Sequence, residues 1–163
     1  MKPATHSEAL RIQAILGQRF AVLEFEQSTK TSADAAAAVG CTVAQIAKSI
    51  MLKTVKEQKP VLVVASGINR VDEKKVSAVL GEKVKSADAD FVLAHAGVPP
   101  GGVPPVGHTV TPRIVLDQDL KQFGVIWAAG GSANAVFKLT WDDLVVLTNG
   151  TPADVAKVQA VLP

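Results

Sequence analysis

The sequence is poor in cysteine, in charge excess and in long apolar runs. A single cysteine, Cys41, rules out an intrachain disulfide and a multi-cysteine zinc site, and it suits a reducing compartment. The 17 lysines and arginines barely outnumber the 15 acidic residues, and a net charge of +2 falls well short of the basicity usual in nucleic-acid-binding domains. That leaves room only for a local basic patch. The longest apolar stretches, residues 61–65 and 125–129, are far shorter than the roughly 20 residues of a membrane helix. Residues 1–8 lead into no apolar segment of the signal-peptide type. A soluble, cytoplasmic protein with no membrane partner is expected. The catalytic signatures H-E-x-x-H, G-x-S-x-G and the Walker loop are absent too.

What is present is an ordinary globular composition, 48% hydrophobic and 20% charged, on a chain of single-domain length. We read residues 1–163 as one domain, long enough to bury roughly two thirds of its unfolded surface. Periodicity predicts a helix over 7–20 with Leu10, Ile15, Leu16 and Phe20 near one face, then a strand at 22–26. The alanine run 35–38 reads as a helix opened by Thr31 or Ser32 and closed by Gly40. Residues 43–47 read as a second short helix, and strands at 49–53 and 60–65 flank a charged hairpin loop, 56–59. Asp72 caps a helix through Leu80 closed by Gly81, and Ser86 or Asp88 opens another over 87–94. Strands are expected at 113–117, 125–129 and 135–139, the last two joined by the turn 130–134. Thr140 caps a helix with Asp142 and Asp143 in its first turn, and Pro152 at a first helical position predicts a final helix over about 152–161. Hairpins and helices without regular βαβ repeats predict an α+β fold: helices around a mixed, mostly antiparallel central sheet.

The strongest local feature is the loop from Gly97 to Pro112, with four glycines and five prolines. Within it, Gly101-Gly102-Val103-Pro104-Pro105-Val106-Gly107-His108 combines residues that let a backbone approach a ligand with residues that hold it still. It reads either as a ligand-facing loop or as a structural crossover. Lys48 sits near the edge of an apolar strand and reads as a phosphate or carbonyl anchor, or more simply as a snorkelling lysine. The turn Gly130-Gly131-Ser132 is open to either a ligand-bordering or a purely structural role. His108 has no metal spacing with His95 or His6, and Cys41 reads as a small buried filler.

Three of these features, in order, resemble the YbaK/prolyl-tRNA synthetase editing-domain family. Ala47-Lys48-Ser49-Ile50 is similar to the family's strand-start lysine followed by Ser or Thr. Gly97, Gly101, Gly102, Pro105 and Gly107 fall as in its Gly-x-x-x-Gly-Gly-x-x-Pro-x-Gly loop, and residues 125–139 resemble its late strand, glycine turn and strand. The resemblance covers about residues 31–147. Where many relatives have Thr-Gly-aromatic, this chain has Ala96-Gly97-Val98, and its lysine segment is not the Thr-Lys-Asn-Leu of the alanine-specific branch. It is nearer the YbaK-like and small-aliphatic branches.

The resemblance implies a free-standing deacylase that hydrolyses the ester of mischarged aminoacyl-tRNA, with tRNA(Pro) carrying Cys, Ala, Ser or 2-aminobutyrate as the leading substrates. It implies no cofactor and no metal, and it makes prolyl-tRNA synthetase a candidate partner. Carried over by residue, Lys48 contacts the 3′ end of the substrate, Gly101 and Pro105 shape the pocket, and Gly102 and Val103 offer backbone groups. Gly107 and His108 complete that loop, and Gly130, Gly131 and Ser132 border the same pocket. An aminoacyl ester is already activated, so positioned water and backbone oxyanion donors suffice without a triad. Lys48, Lys53, Lys74 and Lys75, extended by Lys83 and Lys85, are candidates for a phosphate-binding patch. Two other readings stay open: a non-catalytic tRNA- or synthetase-binding module, and a hydrolase of a different small ester.

Overall fold

A computed structural model describes residues 1–158. Its frame is a nine-stranded sheet in the order β1-β2-β8-β7-β3-β4-β6-β9, with β5 also paired to β3. The strands are β1 (Lys2–Pro3), β2 (Val22–Glu24), β3 (Ile46–Thr54), β4 (Pro60–Ser66), β5 (Val84–Ser86), β6 (Arg113–Asp117), β7 (Ile126–Ala129), β8 (Ala135–Leu139) and β9 (Thr151–Ala153). Five α-helices accompany them among the described residues: α1 (Ser7–Leu16), α2 (Ser32–Val39), α3 (Glu73–Leu80), α4 (Ala89–Ala96) and α5 (Trp141–Thr148). Pairings are antiparallel at β1–β2, β2–β8, β3–β4, β3–β5 and β7–β8, and parallel at β3–β7, β4–β6 and β6–β9. The expected α+β class with a mixed, mostly antiparallel sheet holds.

β4 is the keystone, because every one of its residues is buried. Its side chains alternate with the period of two that a strand imposes. Leu62 and Val64 join a core built with Ile12, Leu116, Phe137 and Leu144, while Val61, Val63 and Ala65 join a second core with Val76, Val84 and Val155. Covering both faces of a strand requires an almost continuous apolar run, which residues 61–65 supply. A third, smaller core seats α2 through Ala35 and Ala36 against Phe25, Ile46 and Val136.

Local chemistry sets most helix ends. Thr31, Asp72, Asp88 and Thr140 accept main-chain N–H bonds at the starts of α2, α3, α4 and α5, and Gly40, Gly81 and Gly97 end the first three in the left-handed conformation. Four expectations need correction. α1 stops at Leu16, before Phe20, and its buried face is Ala9, Ile12 and Leu16; Leu10 and Ile15 are 49% and 50% exposed. Residues 43–45 form a single 3₁₀ turn, and β3 starts at Ile46, which puts Lys48 inside the strand instead of at its edge. The fourth helix lies at Ala89–Ala96, two residues later than expected, because Asp88 is the cap. Finally, Thr151–Ala153 is a strand paired with β6, not the start of a helix, and Ala156 bridges Val71. Proline tolerates an outer strand as readily as a helix start, so Pro152 alone does not discriminate. The end of that expected helix, from residue 159, lies outside the described residues.

Candidate functional site

The sheet is split along one edge of β3. β7 pairs with the start of the strand, Ile46↔Trp127 and Ala47↔Ala128, and β5 pairs with its end, Leu52↔Ser86 to Thr54↔Val84. Between them residues 48–51 have a ladder partner on the β4 side only. Backbone groups on such an interrupted edge need another partner. A cavity of about 400 Å³ opens at the split, lined by residues 46–51 of β3, by Trp127 to Ala129 of β7, and by Ala87 just past β5. Residues 29–32 and Ala35 close one side, and Pro100, Gly101 and Val103 of the central loop close another.

The chemistry of the wall is distinctive. Among the described residues its two charged side chains are both cations, Lys30 and Lys48, and no carboxylate, imidazole or thiol lines it. Aliphatic side chains such as Ile46, Met51, Val92 and Val103 supply most of the remaining surface. The Lys48 ammonium makes a long contact to the Gly67 carbonyl, 3.5 Å. Burial pushes its pKa down, the Asp117 carboxylate opposes that shift, and the Arg70 charge adds to it. Asp117 is itself buried and accepts bonds from Ser66 N–H at 3.0 Å, Asn69 Nδ2 at 2.8 Å and Asp119 N–H at 3.0 Å. Beside Lys48, the Ser49 hydroxyl is buried with no hydrogen-bond partner among the described residues. A buried hydroxyl without a partner is rare in a folded protein.

The central loop meets the cavity through Gly101 and Val103, whose backbones make no hydrogen bond among the described residues. Gly101 has φ +102°, which a side chain rarely adopts, and a Cβ there would lie 2.6 Å from Lys30 Cγ. Gly102 packs directly on the β7–β8 turn; a Cβ there would lie 2.9 Å from the Ser132 carbonyl carbon. Gly102, Pro105, Gly107, His108, Gly130, Gly131 and Ser132 do not line the cavity. Gly107 and Gly131 sit against Ile12 of α1, and Gly130 against Val22 of β2. His108 donates Nε2–H to the Pro104 carbonyl at 2.7 Å, its Nδ1 is buried without a partner, and burial pushes its pKa down. Cys41 is half-buried, with its thiol pKa raised by burial.

Of the lysines considered for a patch, only Lys48 reaches the cavity. Lys53 lies over the Phe91 ring, 5.2 Å from its centroid, and Lys75 binds Asp154 at 3.0 Å and the Ala156 carbonyl at 2.7 Å. Lys74, Lys83 and Lys85 are exposed elsewhere. Sequence reading missed Lys30, Thr29, Met51 and Trp127. Thr29 and Trp127 are brought there by non-local pairings, with Ala133 and Ile46.

No helix among the described residues is long and apolar enough to cross a membrane. A family model for the aminoacyl-tRNA editing domain matches residues 26–147. The chain is 36% identical over 123 residues to the uncharacterised protein YwhH of Bacillus subtilis, a match covering 76% of this chain and 78% of that protein. It is 33% identical over 92 residues to a proline--tRNA ligase of Limosilactobacillus fermentum, covering 54% of this chain but only 16% of the ligase. Among solved structures, one provisionally assigned as a trans-editing enzyme for prolyl tRNA synthetase superposes with a TM-score of 0.88 at 36% identity, covering 95% of this chain and all of that one. The split between β7 and β5, the lysine-bearing strand β3 and the glycine loop all lie within the matched residues: the chain belongs to the aminoacyl-tRNA editing domain family.

Proposed function

We propose that this protein is an aminoacyl-tRNA deacylase that clears tRNA(Pro) carrying a small wrong amino acid, with alanine, cysteine, serine and 2-aminobutyrate as the leading candidates. The observation that carries the reading is the cavity itself. It joins a lysine and free loop backbone groups in a wall with no carboxylate, imidazole or thiol among the described residues. Such a site offers no carboxylate, imidazole or thiol as a general base, so it suits a substrate whose bond is already activated. The ester of an aminoacyl-tRNA meets that condition. Kinship with a proline--tRNA ligase and with a structure assigned to trans-editing for prolyl tRNA synthetase favours tRNA(Pro) as the tRNA and makes the synthetase a candidate partner.

In the proposed reaction, water attacks the carbonyl carbon of the ester. The bond from that carbon to the terminal ribose oxygen breaks, and the ribose oxygen takes up a proton, ultimately from the water. The products are the free amino acid and intact tRNA. The N–H groups of Gly101 and Val103, preorganised by the loop, stabilise negative charge on the carbonyl oxygen. Lys48 holds the 3′ end. Gly102, Pro105, Gly107, His108, Gly130, Gly131 and Ser132 act by holding the loop in place. The aliphatic wall suits a small uncharged side chain.

Lys48→Ala tests the assignment. Hydrolysis of mischarged tRNA(Pro) should fall to the uncatalysed rate while the urea unfolding midpoint stays close to that of the wild type. Full activity in this variant would remove Lys48 from the site. Tight tRNA binding by the wild type without turnover of any charged species would instead favour a binding module.

A further inference from the structure

The second cation of the cavity wall, Lys30, has no part in the scheme above. Its backbone is fixed before any ligand arrives. Thr29 N–H donates to the Ala133 carbonyl at 2.7 Å, Phe25 N–H donates to the Asn134 carbonyl at 2.9 Å, and Asn134 Nδ2 donates to the Phe25 carbonyl at 2.9 Å. Lys30 N–H donates to Ser28 Oγ at 3.1 Å. The segment before α2 is thereby bolted to the β7–β8 turn. The side chain then runs across Gly101: the position of a Cβ on that glycine lies 2.6, 3.1 and 3.0 Å from Lys30 Cγ, Cδ and Cε. The absence of a side chain at residue 101 is what lets the stem lie there. The residue is nevertheless exposed, and its ammonium forms no ion pair or hydrogen bond among the described residues. An exposed lysine normally samples many rotamers, whereas this one has its stem laid in a groove and its charge left unspent beside a wall without acids.

We propose that Lys30 is an anion-binding residue at the cavity mouth that takes a backbone phosphodiester of the substrate's single-stranded 3′ end, while Lys48 serves the ester inside. The inference rests on the deacylase reading for the identity of the strand. The two lysines approach from separate elements, the segment before α2 and β3, so one strand end is held at two points. Stem placement on Gly101 lowers the ordering cost of that contact.

The test is a fluorescence-anisotropy titration of an uncharged RNA hairpin ending in single-stranded CCA, at salt concentrations from about 50 to about 200 mM, where phosphate contacts dominate the response. Lys30→Met keeps an unbranched stem over Gly101 and deletes the charge. Its slope of log affinity against log salt should be shallower than that of the wild type by about 0.7, the value for one contact to a single strand. Lys30→Arg should restore the slope. An unchanged slope in Lys30→Met, or no binding of the hairpin by the wild type, would overturn the assignment. Turnover of mischarged tRNA, measured in parallel, separates the two ideas. Turnover with an unchanged slope removes Lys30 alone, and a lost slope without wild-type turnover keeps Lys30 and removes the deacylase.

Discussion

Replacing Gly102 by alanine drives a methyl group into the main chain of Ser132. The new Cβ would lie 2.9 Å from the carbonyl carbon, 3.0 Å from Cα and 3.2 Å from N of that residue. Carbon atoms sit comfortably at about 3.5–4.0 Å, so the central loop and the β7–β8 turn must part by roughly half an ångström. No flexible side chain can absorb the shift, because all three neighbours are backbone atoms. Overpacking of this kind costs about 1–3 kcal/mol. For a chain of this size each kcal/mol lowers the melting temperature by about 2–4 °C. The loop that moves also carries Gly101 and Val103, and a misplacement of about 1 Å can cost on the order of a hundredfold in rate, so a loss of roughly tenfold is expected here. Urea denaturation and deacylation measured on the same preparation read both effects. Gly124→Ala is the control: a Cβ there meets nothing within 4 Å, and stability should change by no more than about 0.5 kcal/mol. Wild-type stability and activity in Gly102→Ala would refute the close packing of loop on turn.

Two further predictions concern the support behind the wall. His108 is held neutral by burial, below its ordinary value of 6.5, so the folded state binds its proton less readily than the unfolded state. Its contribution to stability is therefore full above that value and is lost as the pH falls through it towards the folded pKa. Urea unfolding across this range should show a steeper acid loss in the wild type than in His108→Gln, and equal slopes would contradict the account. Ile12 is fully buried and carries both Gly107 and Gly131 on its side chain, so Ile12→Ala should cost about 2–5 kcal/mol in chemical denaturation and reduce deacylation as well.

Legibility in the sequence followed the range of the interactions. Helix starts at Thr31, Asp72 and Thr140, the apolar run of β4 and the stiff central loop are written within a few residues of where they act. The split in the sheet is not, because it depends on β7 and β5 arriving at opposite ends of β3 from distant parts of the chain. Lys48 and Gly101 were readable because they sit in a motif. Lys30 was not, because its contact with Gly101 spans 71 positions and has no local signature. The segment around Pro152 failed for another reason. A proline is admissible both at a helix start and in an outer strand, and only pairing with β6 decides between them.

The central claim is that the lysine-bearing cavity at the split hydrolyses the ester of a small, wrong amino acid. The most direct test is a deacylation panel of tRNA(Pro) charged in turn with alanine, cysteine, serine, 2-aminobutyrate and proline. The account predicts rapid release of at least one non-proline amino acid, sparing of prolyl-tRNA(Pro), and loss of the activity in Lys48→Ala. Release of none of the five, or release of proline as fast as the rest, would contradict it.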